Sequence, residues 1–516
     1  MSTDPHTFPQ GAGRSARPDG AGVSAVIVLA AGGGTRMKSR TSKLLHRVAG
    51  RPMLSYAVQA AGSLEPDRLV VVVGHEREQV QAHLAEFAPE VSIAVQEHQN
   101  GTGDAVRAGL SVLPDDLDGV VVVTYGDVPM LSGATLAELV AAHEAEANAV
   151  TVLTAVVDDP TGYGRVVRSG GAVERIVEQR DASPDEAVIR EINSGIYVFD
   201  AATLREGLSG LTSDNAQGEL YLTDVIGFAN AAGRRVGAHR TEDVWQTEGV
   251  NDRVQLAAMN AEMNRRICEH WMREGVTIAD PRTTWIEDDV ALEPDVTLLP
   301  GTQLLGATSI ATGAVVGPDT TLRDVEVGEN AHVIRTHGEL AVSGPNADVG
   351  PWARLRPGTE LGAGGKIGTF VETKNARIGA GSKVPHLTYC GDAILGEGVN
   401  VGAGTIFANY DGTHKSTTHL GDDVFIGSNS VLVAPVDIAD GAFIAAGSAV
   451  TQDVPAGALG VARSHLHVSN GWVARTRPGS KADRSAAAHE GGIHPAVQAS
   501  RDVLEADAAE KAEGGR

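Results

Sequence analysis

An aliphatic residue returns at every sixth position along two stretches of this chain. The first stretch contains Leu292, Leu298, Leu304, Ile310, Val316 and Leu322, and the second contains Leu420, Ile426, Leu432, Ile438, Ile444 and Val450. A period of six fits neither a helix nor a hairpin strand, and an α-solenoid would need repeats of roughly thirty residues or more. The pattern therefore predicts a parallel β-helix, in which short strands stack coil on coil and each repeat buries one side chain.

This hexad frame is interrupted twice, and polar residues gather at both places. Leu395 follows Val384 by eleven positions, and the segment between them contains Pro385-His386-Leu387-Thr388-Tyr389. Leu420 follows Phe407 by thirteen positions, and the segment between them contains Asn409-Tyr410-Asp411-Gly412, followed by Lys415. Residues inserted into a stacked β-helix form surface loops, and loops on a rigid scaffold often carry function. We therefore expect two functional loops.

Length and charge limit the classes of function. A chain of 516 residues exceeds what one core usually organises, so two or three domains are expected. The net charge of −24, with no basic block, argues against nucleic acid as a partner. The two cysteines, Cys268 and Cys390, form no metal motif or disulfide framework, which fits a reducing cytoplasm. No stretch approaches the roughly 20 apolar residues of a membrane helix, so membrane insertion is not expected.

The pattern of residues divides the chain into five parts. We predict a disordered extension over 1–22, an α/β domain over 23–250, a linker helix over 251–274, a β-helix over 275–479 and a disordered tail over 480–516. Within the α/β domain, alternating strands and helices predict a largely parallel sheet that binds ligands beyond its strand carboxyl ends. Predicted strands are Val26–Ala30, Leu69–Val73, Val91–Val95, Val120–Thr124 and Ala149–Val156; predicted helices are Leu54–Ala61 and Thr135–His143.

A glycine-rich turn follows the first predicted strand. In the run from Leu29 to Met37, three consecutive glycines allow backbone N–H groups to approach phosphate, and Arg36 can neutralise charge. The run lacks the Gly-Lys-Ser/Thr ending of a P-loop, and Met37 replaces the third glycine of a dinucleotide fingerprint. The run alone is equally compatible with an ordinary tight turn.

More polar residues follow the next strands. Lys43 comes shortly after the glycines, Gln96 and Gly101-Thr102 follow the third strand, and Tyr125-Gly126-Asp127 ends the fourth. A carboxylate at that strand end is placed to hold Mg²⁺ against phosphates, because Mg²⁺ takes one or two protein oxygens and completes its shell with water and substrate. A simple turn residue before Pro129 is the alternative interpretation of Asp127.

Together these segments resemble the sugar-1-phosphate nucleotidyltransferases, whose opening reads L-A-A-G-x-G-T-R-M followed by a lysine. The resemblance narrows to a bifunctional family that joins N-acetylglucosamine-1-phosphate uridylyltransferase to glucosamine-1-phosphate N-acetyltransferase, and it covers roughly residues 23–479. The further matching runs are Gly162-Tyr163-Gly164-Arg165, Ile176-Val177-Glu178, Glu191-Ile192-Asn193-Ser194-Gly195 and Glu248-Gly249-Val250-Asn251. It implies a Rossmann-like α/β nucleotidyltransferase domain, a linker helix and a left-handed parallel β-helix of hexapeptide repeats. Left-handedness rests on the resemblance, since the general crossover rule favours the right hand.

The resemblance also assigns residues to the first site. It implies that Asp127 and Asn251 bind Mg²⁺ and that Arg36 and Lys43 act catalytically on the phosphates of UTP. It implies that the uridine nucleotide is held by Leu29, Ala30, Ala31, Gly32, Gln96, Gly101 and Thr102. The N-acetylglucosamine moiety would be held by Gly164, Glu178 and Asn193, with Tyr125 and Gly126 as further contacts of the nucleotide sugar. The chain departs from the family pattern at Ser42, Asn100, Asp104 and Asp252, which bears on nucleotide affinity and on the surroundings of the metal.

The second half resembles the acetyltransferase part of the same family through R-L-R-P-G, F-V-E-x-K, H-L-T-Y and N-Y-D-G. This implies that His386 is a general base, since a neutral imidazole can accept a proton from an attacking amine. The sugar phosphate would be held by Arg356, Lys374, Tyr389 and Asn400, and acetyl-CoA by Ala403, Asn409, Tyr410, Ser428, Ala446 and Arg463. Alternatives are an ordinary surface histidine, a metal site with His414 or His419, and a nucleophilic Cys390.

The expected function is a two-step synthesis of UDP-N-acetylglucosamine, which implies a role in peptidoglycan synthesis. Glucosamine 1-phosphate would be acetylated from acetyl-CoA, and N-acetylglucosamine 1-phosphate would then take the uridylyl group of UTP with release of pyrophosphate. The resemblance also implies a homotrimer. Two rivals are a nucleotidyltransferase whose β-helix is only a scaffold and an acyltransferase whose first domain only binds nucleotide.

Overall fold

The computed structural model describes residues 22–74, 77–489 and 494–513 and separates into two compact units, Met1–Val461 and Ala462–Arg516. Except for Gly22, the extension predicted to be disordered lies outside the described residues. Among the described residues, no helix combines the length and the apolar character needed to cross a membrane.

The first unit begins with a nine-stranded sheet and a small two-stranded sheet, β2–β3. The strands are β1 (Val23–Ala30), β2 (Arg47–Val48), β3 (Arg51–Pro52), β4 (Arg68–Val73), β5 (Ser92–Val95), β6 (Val120–Tyr125), β7 (Val150–Val156), β8 (Gly164–Ser169), β9 (Ala172–Val177), β10 (Glu191–Asp200) and β11 (Val236–Arg240). The large sheet runs in the order β11-β7-β10-β6-β1-β4-β5, with β8 and β9 attached to β10. Strand β1 lies parallel to β4 and β6, whereas β10 is antiparallel to its neighbours β6 and β7.

Helices cover both faces of this sheet. They are α1 (Met53–Gly62), α2 (Arg77–Phe87), α3 (Thr102–Leu110), α4 (Gly133–Ala145), α5 (Pro184–Ala187), α6 (Ala201–Ser209) and α7 (Asp224–Ala231), with 3₁₀ turns at Thr35–Met37, Lys43–Leu45 and Val244–Thr247. Alternate residues of β1 enter two separate cores, Ile27 and Leu29 in one and Val26 and Val28 in the other. A strand covered on both faces reads as a continuous apolar run, which is why the sequence locates these strands within three residues at each end.

A long helix, α8 (Arg253–Arg273), joins the sheet domain to the repeats. Met259 packs in a core shared with the α/β domain, whereas Cys268 belongs to the core of the repeats. Asn264 is buried, donates to the Thr284 carbonyl at 2.8 Å and accepts from the Ile286 N–H at 2.9 Å. The predicted linker helix therefore docks on both neighbours through its apolar face.

The repeats form 26 short strands that pair in parallel across two sheets. One sheet contains Thr277–Ile278, Thr297–Leu298, Val315–Val316, His332–Val333, Asp348–Val349, Lys366–Thr369, Lys383–His386, Asn400–Val401, Phe425–Ile426, Phe443–Ile444 and Leu459–Gly460. The other contains Trp285–Ile286, Ala291–Leu292, Gln303–Leu305, Ser309–Ile310, Thr321–Val327, Thr336–Ser343, Ala353–Leu355, Thr359–Leu361, Glu372–Ile378, Tyr389–Leu395, Ile406–Ala408, Thr418–Leu420, Val431–Val433, Val436–Ile438 and Ala449–Val450.

Strand pairing gives the length of one coil. Thr297 pairs with Val315, eighteen positions later, so three hexads make one turn of the β-helix. The parallel strands and the hexapeptide repeats are those of a left-handed β-helix. All twelve aliphatic residues of the hexad pattern are buried, as are the small residues Ala442 and Ser448. The periodicity therefore predicts the core of this half of the chain correctly.

The two interruptions of the hexad frame have different structures. Ala393 pairs with Thr418, twenty-five positions later, so seven extra residues leave the coil as the predicted loop. Lys383 pairs with Asn400, only seventeen positions later, so the first interruption is a shortened coil. The prediction of a loop there was wrong, because a spacing of eleven positions is one short of two hexads. His386 instead ends a strand.

The end of the β-helix also differs from the expected boundary at residue 479. The last paired strand is Leu459–Gly460, and Ala456 and Ala462 stand where the aliphatic period would continue. The second unit contains α9 (Trp472–Thr476), α10 (Lys481–Ala487) and α11 (Pro495–Glu513). Helices α10 and α11 lie where the composition predicts disorder, but α10 buries no residue and the described side chains of α11 are exposed.

A buried histidine makes the α/β domain sensitive to acid. His143 on α4 is buried against Thr151 at 3.0 Å, and burial lowers its pKa from 6.5 to about 4. The unfolded state therefore takes up a proton first as the pH falls, and about 2 kcal/mol of stability is lost between pH 7 and pH 5. We expect His143→Gln to reduce this loss, measured by thermal unfolding at both pH values; equal losses in both proteins would contradict the assignment.

Candidate active sites

The first site lies at the carboxyl edge of the large sheet. Strands β1 and β6 are parallel neighbours, so the glycine turn after Ala31 and the segment around Asp127 emerge side by side. The Gly126 N–H donates to the Leu29 carbonyl at 2.9 Å. Gly34 has a φ of +53°, and a Cβ there would lie 2.7 Å from the Lys43 Cβ. Glycine is required at position 34 because the turn is left-handed and packed against Lys43.

Lys43 joins the two expected metal ligands. Its ammonium lies 2.5 Å from Asp127 Oδ2 and 3.2 Å from Asn251 Oδ1, although these residues come from distant parts of the chain. A cation already sits between a carboxylate and an amide oxygen, which is the donor set that Mg²⁺ accepts from a protein. The arrangement fits a divalent ion held by Asp127 and Asn251. Arg36 lies exposed on the neighbouring glycine turn.

Gln96 is buried after β5 and is held in one orientation. Its Nε2 donates to the Gly101 carbonyl at 3.1 Å and to Asp104 Oδ2 at 3.0 Å. Both amide hydrogens are used, so Oε1 is the atom left to accept a bond from a ligand. Thr102 Oγ1 accepts from the Leu222 N–H at 3.1 Å, which ties this end of the site to the segment before α7.

The expected sugar-binding residues lie together on β8, β9 and β10. Gly164 pairs with Asn193, and a Cβ on the glycine would lie 3.0 Å from the Ile176 side chain. Asn193 Oδ1 accepts from the Tyr197 hydroxyl and from the Gly195 N–H, both at 2.9 Å, so Nδ2 remains to donate. Tyr125 packs on the same strand, since a Cβ at Gly195 would overlap its ring.

The acidic member of this group is Glu178. Burial raises its pKa, with a further contribution from the nearby Asp181, Asp224 and Glu219 carboxylates, while a hydrogen bond from Thr223 opposes the shift. A carboxylate held among other acids gains most from a ligand that donates hydrogen bonds to it, as a sugar hydroxyl or amide does.

Two supporting contacts in the first site were not predicted from the sequence. The Tyr163 hydroxyl donates to Glu248 Oε2 at 2.7 Å and links two of the matched motifs across the site. Gln99 Nε2 donates to the Ala31 carbonyl at 2.7 Å and lies over Gly33. Tyr163 and Glu248 stand in runs that match the family pattern, although their contact was not predicted, whereas no sequence signal separated Gln99 from a surface residue.

The departures from the family pattern take local structural roles. Asp252 caps α8 by accepting from the Val254 and Gln255 N–H groups, both at 2.9 Å, and such a cap contributes about 1 kcal/mol. Asp104 orients Gln96, as described above. Ser42 is buried, with its N–H donating to Gln79, and the Asn100 carbonyl accepts from the Leu220 N–H at 2.7 Å.

The second site follows the register of the β-helix. Val384 and its equivalents Val401, Ile426 and Ile444 point inward in successive coils. The residues two positions after them therefore form an outer column, which consists of His386, Ala403, Ser428 and Ala446. Backbone bonds connect this column, from the Gly404 N–H to the His386 carbonyl at 3.2 Å and from the Asn429 N–H to the Ala403 carbonyl at 2.8 Å.

Three cationic side chains lie on the adjoining face. Arg356 and Lys374 occupy equivalent positions in successive coils, which are about 4.8 Å apart. Arg356 pairs with Glu372 at 3.0 Å, and the Lys374 ammonium lowers the pKa of the neighbouring Lys415. Two ammonium groups that repel each other favour an anion between them, so this face suits a phosphate. Lys415 lies in the inserted loop and was not assigned from the sequence.

Tyr389 and Asn409 adjoin these cations. The Tyr389 ring lies across Gly391, where a Cβ would overlap its hydroxyl. Asn409 Nδ2 donates to the Tyr389 hydroxyl at 3.3 Å, and the Asn409 carbonyl closes the inserted loop by accepting from the Ser416 N–H. Tyr410 is exposed at the start of that loop, and its hydroxyl donates to the Gly412 carbonyl.

Asn400 and Arg463 are the remaining residues that the sequence assigned to the second site. Asn400 is half-buried on the strand Asn400–Val401, beside Lys383 and Phe425 in the pairing. Arg463 belongs to the second compact unit and is exposed there. Burial raises the pKa of the Cys390 thiol to about 12, which argues against a nucleophilic thiolate. The described residues hold no cluster of three His, Cys, Asp or Glu side chains suited to a metal, so they offer no such ligand set around His386.

Comparison with known proteins defines the class. A family model described as Nucleotidyl transferase matches residues 25–261, and one described as Bacterial transferase hexapeptide (six repeats) matches residues 417–452. The chain is thus a nucleotidyltransferase joined to a hexapeptide-repeat transferase.

Curated relatives extend over nearly the whole chain. It is similar to the "Bifunctional protein GlmU" of Pseudarthrobacter chlorophenolicus at 59% identity, covering 90% of this chain and 95% of the relative. The proteins of the same name from Kineococcus radiotolerans and Paenarthrobacter aurescens are each 57% identical, covering 90% and 91% of this chain and 94% and 95% of those relatives. The chain belongs to the bifunctional GlmU family. It is an enzyme that acetylates glucosamine 1-phosphate and then uridylylates the product to UDP-N-acetylglucosamine, a cell-wall precursor.

The position of Lys415 beside Lys374 can be tested by mutation. We expect Lys415→Ala to raise the KM for glucosamine 1-phosphate about tenfold in the acetylation assay, because the phosphate loses one charge-assisted contact. Arg377→Ala, an exposed cation on the same strand as Lys374, is the matched control and should leave this KM unchanged. A normal KM in the Lys415 variant would remove this residue from the phosphate site.

Proposed function

We propose that the first site uses Asp127 and Asn251 to hold Mg²⁺ while Arg36 and Lys43 bind the phosphates of UTP. The contact that supports this most directly is the Lys43 ammonium between the Asp127 and Asn251 oxygens. Mg²⁺ bound there would neutralise phosphate charge. The phosphate oxygen of N-acetylglucosamine 1-phosphate attacks the α-phosphorus of UTP in line. The bond from the α-phosphorus to the oxygen that bridges it to the β-phosphorus breaks, and pyrophosphate leaves. The protein contributes position and charge.

The other residues of the first site would bind the two organic parts of the substrates. The uridine moiety lies against the turn Leu29, Ala30, Ala31 and Gly32, with Gln96, Gly101 and Thr102 at the base. The sugar lies between Tyr125, Gly126, Gly164, Glu178 and Asn193. The amides support this division, since Gln96 presents an acceptor and Asn193 a donor.

In the second site, His386 accepts a proton from the amine of glucosamine 1-phosphate as the nitrogen attacks the thioester carbonyl of acetyl-CoA. The C–S bond breaks, the thiol of coenzyme A leaves with a proton, and the amide forms. The sugar phosphate binds Arg356, Lys374, Tyr389 and Asn400. The acyl donor follows the column of small residues Ala403, Ser428 and Ala446, with Asn409, Tyr410 and Arg463 as further contacts.

We also propose that the enzyme is a cytoplasmic homotrimer whose acetyl-CoA sites lie between subunits. The outer faces of a β-helix are flat, whereas ligand sites are concave and often lie at interfaces. Trp352 and Phe370 stack on each other 5.4 Å apart and are 56% and 57% exposed, an apolar pair that a neighbouring subunit would cover. The two free, buried cysteines suit a reducing compartment.

The two activities should separate by mutation. Asp127→Ala should abolish Mg²⁺-dependent pyrophosphate release from UTP and N-acetylglucosamine 1-phosphate but leave acetyl transfer intact. His386→Ala should abolish release of free thiol from acetyl-CoA and leave the uridylyl step intact. The activity that each variant retains is its control for folding. Loss of both activities in either folded variant would contradict the assignment of separate sites.

The shared site can be tested in mixed trimers. His386→Ala and Arg463→Ala chains should each lack acetyl transfer, and trimers refolded from both should recover part of it, because some interfaces then combine the two intact residues. Homotrimers of each variant, refolded in the same way, are the controls. Verified mixed trimers that remain inactive would contradict the placement of His386 and Arg463 in one shared site.

A further inference from the structure

Asp392 is a buried carboxylate in the acetyl-transfer half that the two proposed reactions leave without a role. Its side chain is only 9% exposed and lies between two amides from different coils. Asn375 Nδ2 donates to Oδ1 at 2.8 Å, and Asn409 Nδ2 donates to Oδ2 at 2.5 Å. Each carboxylate oxygen therefore fixes one neighbouring side chain.

The bond to Asn409 decides which end of that amide faces outward. Asn409 Nδ2 has two hydrogens, and it donates to Asp392 and to the Tyr389 hydroxyl. Both donors are used, so the carbonyl Oδ1 is the polar atom left for a substrate. A carbonyl oxygen can accept a hydrogen bond from an amine N–H, whereas an NH₂ group cannot.

The backbone conformation at position 392 does not by itself require an aspartate. Asp392 has a φ of +47°, a left-handed conformation that asparagine adopts equally well. Asparagine has one acceptor and one donor, so it could not accept from Asn375 and Asn409 together without turning one of them. Only a carboxylate accepts from both sides. Burial of a charge is otherwise unfavourable, which makes its presence here informative.

We propose that Asp392 is a positioning residue for acetyl transfer: it holds the Asn409 amide with its NH₂ group inward and its carbonyl toward the amine of glucosamine 1-phosphate. The bound amine then donates one N–H to Asn409 and directs its lone pair at the thioester. This inference rests on the proposed placement of Asn409 in the acetyl-CoA site. The nearby Lys415 ammonium interacts with the same carboxylate and adds charge compensation.

The test is an exchange of the two side chains in the full-length enzyme. We expect Asp392→Asn to lower kcat for acetyl transfer at least about tenfold, because the contact between the Asn409 carbonyl and the amine is lost in the transition state. The KM values for glucosamine 1-phosphate and acetyl-CoA should change less than about threefold. The double variant Asp392→Asn with Asn409→Asp should be faster than Asp392→Asn alone. In that double variant, the amide at position 392 can donate to the carboxylate at position 409 and accept from Asn375, which leaves a carboxylate oxygen facing the amine.

Three controls separate this effect from unfolding and from a wrong placement of Asn409 in the acetyl-transfer site. Uridylyl transfer and the melting temperature of Asp392→Asn should stay unchanged, and Asn375→Ala, which removes the other donor, should retain kcat. Asn409→Ala should have a reduced kcat for acetyl transfer. An unchanged kcat in that variant would overturn the placement of Asn409 and this proposal with it. An unchanged kcat in Asp392→Asn, or a double variant no faster than that single one, would overturn the role of Asp392 alone.

Discussion

The stacking of inward aliphatic side chains sets the geometry of the entire second half of the molecule. Because Leu298 packs beneath Val316 and each coil repeats this contact, outer positions also recur in columns separated by about 4.8 Å. Arg356 and Lys374 form part of one column, and His386 begins another. The core thus places functional side chains at fixed spacings without any large loop, except where seven extra residues bring Lys415 and Tyr410 to the face.

Prediction from the sequence succeeded where a periodic pattern has a single structural solution. Twelve hexad positions are buried, the linker helix lies where its apolar face indicated, and the strands of the doubly covered sheet match within three residues. The shortened coil at Val384 to Leu395 was misread, because a spacing of eleven positions fits two explanations. It can be two hexads with one residue lost or one hexad with five residues inserted. The pairing of Lys383 with Asn400 distinguishes the two.

The site residues show a different limit. Asp127 and Asn251 are far apart in sequence, and only the family resemblance connected them before the fold placed both against Lys43. No sequence signal marked Asp392, because the role proposed for it depends on amides from the preceding and following coils. Register across coils is a property of the fold, so such a contact cannot be read from local composition. The same holds for Lys415, whose place beside Lys374 follows from how the inserted loop closes.

The two candidate sites share one feature, an amide side chain whose orientation is fixed by its neighbours. An amide side chain is nearly symmetrical in shape, so it discriminates between ligands only when its neighbours decide which end faces outward. Gln96 has both hydrogens bound by Gly101 and Asp104 and presents oxygen. Asn193 has its oxygen bound by Gly195 and Tyr197 and presents nitrogen. Asn409 has both hydrogens bound by Asp392 and Tyr389, as Gln96 has by its neighbours, so under the proposed role a buried carboxylate determines which atom the amide presents to the substrate without touching the substrate itself.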